Sequence, residues 1–389
     1  MRRTLVTAAG VIVWLIALAL AATRIRGTAT SGVDVVPIYE AGRAVLHGQP
    51  VYDVPAFVYP PFAAVAMIPI SALSLNRAFD VWRVLQVVVP LIACPLAARS
   101  VLPWRRAWPL AGLLAVLLLK GDVFVDSLFL FNPTLLFVLP AVAVPLLWSR
   151  NRWVAGAALL GLSLAIKPLL VLYVLIPVVL RQWRAVAWTV GTAAGLTLVG
   201  AAVSHDLGGL IHLPQTIATS TNLHGELLTH NVNLASVREA HPTLTVVTWL
   251  ALLLVLTSVV GVLLGMRRVG PSASAFVAAS GALALAPALA GSIDEIHYGV
   301  LGLPALVAIL AQHRRLVPFL TALAAAAVLL TPRVYLRVDP LSYNTSQLRW
   351  AVGQLLVIMA SGLYFSLWGP GHTPLTRRRP QLIPLDPVF

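Results

Sequence analysis

The sequence predicts an all-α, polytopic integral membrane protein of about twelve transmembrane helices, and three observations predict it. Of its 389 residues 59% are hydrophobic and only 10% charged, against roughly 45–50% and 25% in soluble domains. Apolar runs of helical length recur from one end of the chain to the other. The basic residues stand in twos and threes between those runs, as loop charges do in membrane proteins. A net charge of +14 arranged in this way forms no stripe for nucleic acid, and a water-soluble enzyme is excluded.

The first run, 5–23, follows Met1-Arg2-Arg3. It is long for a signal peptide and many further runs come after it, so a retained first helix is expected. The others fall near 80–98, 107–119, 129–147, 152–166, 168–180, 185–203, 243–266, 273–291, 298–312, 316–331 and 349–367. Those at 107–119 and 168–180 are shorter than the ~20 residues of a straight span, which implies helices that are tilted, extended by polar flanks, or broken. Broken helices at membrane depth line cavities. Residues 62–73 are apolar but short, with Pro60-Pro61 ahead and Pro69 inside, and are expected to lie along the membrane surface.

With 62–73 left out of the span count, sixteen of the 27 basic residues fall on one side: Arg2, Arg3, Arg99, Arg105, Arg106, Arg150, Arg152, Arg181, Arg184, Arg267, Arg268, Arg314, Arg315 and Arg377 to Arg379. Of the 13 acidic residues only Asp386 joins them. The positive-inside rule then makes both termini cytoplasmic. Residues 1–367 read as a single transmembrane domain with outer loops at 24–79, 204–242 and 332–348, and the Pro- and Arg-rich 368–389 as a disordered cytoplasmic tail.

A single cysteine, Cys94, offers neither a disulfide framework nor a cysteine metal site. No G-x-x-x-x-G-K-[ST] loop serves a cytoplasmic nucleotide, so the chemistry is expected to face outwards and to need no cofactor. Only Lys120 and Lys167 of the basic residues are lysines, a codon preference of a G+C-rich bacterium, which places the chain in a bacterial cytoplasmic membrane.

In the first outer loop, residues 37–47 set Ile38, Ala41, Val45 and Leu46 on one helical face and Glu40, Arg43 and His47 on another, with Pro37 in the first turn and Gly48 at the exit. Such an amphipathic helix lies on the outer surface. Asp34 precedes it. A carboxylate there either takes a proton from an incoming hydroxyl, as a general base does, or caps the helix or is solvated. Asp53 reads as a turn residue.

Asp34-x-x-Pro37-x-Tyr39, then Gly48-Gln-Pro-Val-Tyr52-Asp53 and Phe57-Val-Tyr59-Pro-Pro-Phe62, resemble the opening of glycosyltransferase family 87. The likeness continues through Asn132-Pro-Thr134, Gly161-Leu-Ser-Leu-Ala-Ile-Lys167-Pro168, Asn231-Val-Asn233 and His297-Tyr298, spanning roughly residues 30–305. The resemblance implies a GT-C fold whose outward site uses a polyprenyl-phosphate-linked sugar, with Asp34 at the place of the family's catalytic base. It also implies a glycan or glycolipid acceptor. Inverting displacement needs, besides the base, positive charge or donors for the departing phosphate. Lys167, His297 and Arg238 are the candidates for it, with Lys120, Arg333, Arg337 and Arg349 behind them. Asn231, Asn233 and Tyr59 join them as sugar or phosphate contacts.

Each has a plain structural alternative. Lys167 precedes Pro168 at a helix end, where it either serves a site or snorkels to the surface. Lys120 lies near Asp122 and Asp126, which suits a local ion pair. His297 could equally satisfy a backbone carbonyl, and Asn231 and Asn233 suit an ordinary solvated loop. Asp294, Glu295 and His297 crowd one short turn, and His205, His212, His224, His230 and His241 lack a ligand spacing, so no metal is expected. Phe57-x-Tyr59 and His297 resemble mannosyl-transferring members, and Asp34-x-x-Pro37-x-Tyr39 and Lys167-Pro arabinofuranosyl-transferring ones, with mannose favoured. A flippase of lipid-linked sugar would carry mid-membrane charges and inverted repeats. An envelope polymer ligase would depend on the Arg and His of 204–242.

Overall fold

The structure, a computed structural model, describes residues 2–27, 30–211, 234–240, 242–269, 272–290, 296–311, 316–330 and 341–367. Among these every regular element is helical. In chain order they are α1 (Arg2–Gly27), α2 (Val36–Leu46), α3 (Pro61–Ser71), α4 (Leu75–Val101), α5 (Trp104–Lys120), α6 (Asp122–Leu130), α7 (Thr134–Ser149) and α8 (Trp153–Ile166). Then follow α9 (Leu175–Val179), α10 (Trp183–Val203), α11 (Leu234–Ala240), α12 (Thr245–Val269), α13 (Ala273–Ala290), α14 (Leu303–Leu310), α15 (Leu316–Leu330) and α16 (Leu341–Ser366). Single-turn 3-10 helices occupy Val51–Asp53 and Pro242–Leu244, and longer ones Pro168–Val174 and Ile296–Gly302. The tail 368–389 lies outside the described residues, as do most of the two later loops.

Five of these segments, Thr7–Gly27, Leu75–Val101, Trp183–Val203, Pro242–Val269 and Ala273–Ala290, are long and apolar enough to cross a membrane. Their outward faces carry bare hydrocarbon: Ile12, Leu15 and Leu18 on α1, and Val246, Leu250, Leu253 and Leu256 on α12, are each about half exposed or more. Apolar surface of that extent is tolerated facing lipid and not water. The fold is that of a polytopic membrane protein.

α13 is the hub. It is buried nearly all round, as an evenly apolar helix must be, and packs on α7, α12, α14 and α16. Small residues let its neighbours approach closely: Gly281 faces Ala305 and Val357. α1 pairs with α5, and α4 bridges that pair to α7.

α2 forms as its sequence predicts, with Pro37 in the first turn and Gly48 leaving at φ +67°. Its packing face differs from the expected one: Tyr39, Gly42 and Ala44 are buried beside Ile38 and Ala41, whereas Leu46 is exposed. The reason is α3, which crosses at Gly42 and is tied by Tyr39 Oη donating to Leu73 O (2.8 Å) and Ser71 Oγ donating to Tyr39 O (2.9 Å). α3 in turn packs on α8 and α10.

Gly200 of α10 meets that helix backbone to backbone. A Cβ there would lie 2.7 Å from Phe62 Cα and 2.8 Å from Pro61 C, atoms that cannot swing aside. Gly200→Ala is therefore expected to destabilise the fold by about 1–3 kcal/mol, seen as a lower melting temperature in detergent. Gly195→Ala, on the same helix with open space around it, is the control expected to show no loss.

Candidate active site

Beyond α1 the chain runs beside the end of α6, where helix carbonyls lack partners of their own. Ser31 N–H donates to Phe129 O (2.8 Å) and Asp34 N–H to Leu130 O (3.1 Å). Gly32, at φ +65°, lies so close over Phe79 that a side chain would strike the ring. These contacts place the half-buried Asp34. It does not cap α2, whose N-cap is Val35 with no side-chain cap bond. Its carboxylate instead accepts from Asn132 Nδ2 at 2.7 Å.

Asn132 is held from several directions. α6 ends at Phe131 in the left-handed region (φ 57°), so the chain turns sharply into Asn132. Trp82 and Gln86, one turn apart on α4, reach the two carbonyls at this corner: Trp82 Nε1 donates to Phe131 O (2.9 Å) and Gln86 Nε2 to Asn132 O. Asn132 Oδ1 accepts both the backbone N–H of Thr134 (3.0 Å) and its hydroxyl (2.6 Å). With two donors on Oδ1, the amide nitrogen must face Asp34.

The other side of Thr134 faces Lys167, whose Nζ donates to Oγ1 at 3.4 Å, a long bond near the limit of hydrogen bonding. Cation to carboxylate, the donors then run in one direction: Lys167 to Thr134, Thr134 to Asn132, Asn132 to Asp34. Bonds in such a series polarise one another. Lys167 is extended, as a residue before proline prefers to be, and is only 9% exposed. Its Nζ lies 4.9 Å from the ring centroid of Tyr298 and 5.6 Å from that of Tyr59, within the reach of cation–π attraction.

Tyr59 is steadied in turn. Tyr52 Oη donates to its carbonyl (3.2 Å), and Tyr52 N–H donates to Asp206 Oδ2 (3.2 Å), just beyond α10. Burial and the Asp206 carboxylate push the Tyr52 phenol above its ordinary range, so it remains a donor.

Three interruptions of regular helix meet here: Phe131 to Pro133 between α6 and α7, Lys167 with the 3-10 turn Pro168–Val174, and the 3-10 turn Ile296–Gly302. The runs predicted at 129–147 and 298–312 are accordingly each broken near one end, and of the three forms open to 168–180, tilted, extended or broken, the structure takes the broken one.

Asp34, Lys167 and Tyr59 are thus brought together. His297 belongs to the turn that packs on α6 and α7, next to Tyr298, but its side chain lies outside the described residues, as do Asn231, Asn233, Arg333 and Arg337. Arg238 has another partner: its guanidinium lies 5.1 Å over Trp249. Arg349 donates to Val328 O, and Lys120 is exposed at the end of α5. Among the described residues no three His, Cys, Asp or Glu side chains converge on a metal position. An open groove of about 560 Å³ runs along α2, lined by Tyr39, Glu40, Arg43, His47 and the α3–α4 turn, and does not include Asp34.

Asn132, Thr134 and Tyr298 stand in motifs visible in the sequence, yet their part in the site was not. Trp82 and Gln86 carried a fainter signal, polar atoms at the head of a long apolar helix.

A half-buried carboxylate and a recessed ammonium, linked but held apart, suit a reaction that removes a proton at one place and stabilises a leaving anion at another. The model of glycosyltransferase family 87 matches residues 57–292, which takes in Tyr59, Asn132, Thr134 and Lys167 but neither Asp34 nor His297. Over 339 residues the chain is 26% identical to the polyprenol-phosphate-mannose-dependent alpha-(1-2)-phosphatidylinositol mannoside mannosyltransferase of Mycolicibacterium smegmatis, covering 82% of this chain and 76% of that protein. No solved structure matches. With well over half of its length matched, the chain belongs to glycosyltransferase family 87 and is a membrane glycosyltransferase.

Proposed function

We propose that this protein transfers mannose from a polyprenyl-phosphate donor to a glycolipid on the outer side of the cytoplasmic membrane, with Asp34 as the general base. The observation that carries the reading is the Lys167–Thr134–Asn132–Asp34 series, which sets a base and a cation in one site built from broken helices. The basic loops support about twelve crossings with both termini inside, which leaves Asp34 outside.

In the proposed step Asp34 takes the proton of the acceptor hydroxyl as its oxygen bonds to the anomeric carbon. The bond from that carbon to the phosphate oxygen breaks with inversion, and its electron pair leaves on the polyprenyl phosphate. Lys167 stabilises that charge. α8 has 14 residues, about 21 Å of rise, against a hydrocarbon core of ~30 Å. A lysine at its end is recessed, a place where a cation is costly unless it serves function. The donor's lipid keeps its phosphate at the membrane, where such a cation can meet it.

Mannose is supported by the relative's dependence on polyprenol-phosphate-mannose, and a phosphatidylinositol-based acceptor by its printed substrate. The test is incubation of purified protein and glycolipid acceptors with radiolabelled polyprenyl-phospho-mannose or polyprenyl-phospho-arabinose in separate reactions. Label is expected to move from the mannose donor alone. Transfer from the arabinose donor would reassign the sugar, and transfer from neither would overturn the reading.

A further inference from the structure

We propose that Arg83 is the centre of a second anion site, on the α1–α4 side of Asp34, which takes the phosphodiester of a phospholipid-type acceptor. The proposal rests on the function proposed above and adds the element that recognises the acceptor.

Arg83 stands two turns into α4 with its side chain 17% exposed. Its donors are poorly used. Nη1 lies 3.4 Å from Ile25 O and Nη2 3.5 Å from Thr30 Oγ1, both at the limit of a hydrogen bond. Nη1 is also 3.7 Å from Asp80, a carboxylate that is 74% exposed. Nε is buried with no hydrogen-bond partner among the described residues. Charge-assisted bonds run at about 2.7–2.9 Å, so this guanidinium, with its five donors in a planar fork, has no full-strength partner among the described residues. A phosphate oxygen pair is the group that such a fork fits best.

Its position gives the site a role. The guanidinium lies 5.6 Å over the ring of Phe131, whose neighbour Asn132 holds Asp34. It also reaches Thr30, in the segment that carries Asp34. Arg83 is therefore on the side of the base, whereas Lys167 stands beyond Thr134 against Tyr59 and Tyr298. In an in-line displacement the acceptor oxygen and the departing phosphate lie on opposite sides of the anomeric carbon. An acceptor that itself carries a phosphate then needs a separate cation, on the side of the base. Further positive charge stands nearby: Arg26 is exposed at the end of α1, and Arg24 Nε, donating to Leu119 O (3.2 Å), ties that end to α5 and so to the exposed Lys120.

The experiment measures binding of two acceptors to the purified protein without donor: a mannosylated lipid with a phosphodiester in its headgroup, and an alkyl mannoside without one. In the wild type the first is expected to bind more tightly. Arg83→Gln is expected to weaken it by roughly 10- to 100-fold relative to the second, with Arg83→Lys intermediate and the melting temperature retained. Equal loss for both acceptors, or no loss for either, would overturn the proposal, as would a wild type that does not distinguish them. Repeating the measurement with excess inorganic phosphate, and with phosphatidylglycerol vesicles, separates the sources of phosphate. Competition by phosphatidylglycerol equal to that of the mannosylated lipid would make Arg83 a site for bulk phospholipid and overturn its assignment to the acceptor, as would equal competition by inorganic phosphate. Because no donor is present, absence of transfer in a separate assay would count against the proposed function and leave this result standing.

Discussion

Asp34→Asn is expected to lower mannosyl transfer by roughly 100- to 10,000-fold, the range set by a lost general base, while the protein still folds and inserts. Asparagine keeps the shape of the side chain and an oxygen for the 2.7 Å bond from Asn132, so the corner between α6 and α7 has no reason to move. What disappears is the capacity to take a proton. Asn132→Ala removes the group that orients the carboxylate and leaves the base itself. It is expected to lower kcat by a smaller factor with the KM for donor little changed, because Asn132 sits between base and cation without replacing either. Initial rates with saturating acceptor, alongside melting temperatures, separate these cases. Undiminished turnover in Asp34→Asn would remove Asp34 from the role of base.

Much of this arrangement was legible in the sequence because it depends on local rules. Proline in the first turn and glycine at the exit marked α2 almost to the residue, and the short apolar run after Lys167 limited that segment to a helix that is tilted, extended or broken. Lys167 was singled out because an ionisable group at the end of an apolar run is costly and seldom idle, and Asp34 because it precedes the surface helix, where the family resemblance sets a base. What the sequence did not show is what joins them. The bond from Asn132 to Asp34 connects residues 98 apart, and that from Lys167 to Thr134 residues 33 apart, and no periodicity carries such information. The same limit explains Leu46: helical spacing put it on the apolar face of α2, but which part of that face is covered is decided by α3, a tertiary contact. Arg83 stayed hidden for a further reason. Apart from Asp80, its partners are a backbone carbonyl, a hydroxyl and a ring, none of which identifies itself by residue type.

Lys167→Met is expected to lower kcat by roughly 100- to 1,000-fold, the usual loss when a positioned stabiliser of developing charge is removed. Methionine is unbranched, fills most of the space of the lysine stem and suits apolar surroundings, so the pocket between Tyr59 and Tyr298 can close around it without a fall in melting temperature. Lys167→Arg is expected not to restore the rate. The guanidinium is planar and larger, and a side chain only 9% exposed between two rings and Thr134 has little room for it. The two substitutions together separate charge from fit. If Lys167 merely snorkelled, arginine would serve as well as lysine and methionine would cost little turnover; if it were a structural strut, methionine would lower the melting temperature along with the rate. A cation that meets the leaving phosphate predicts a third pattern: both variants slow, both folded, and binding of the spent polyprenyl phosphate weakened more than binding of the acceptor. That pattern fits the geometry, in which two neutral side chains, Thr134 and Asn132, stand between the lysine and the carboxylate. Thr134 and Asn132 hold the two ends apart, so that the lysine and the carboxylate meet different parts of the substrate pair.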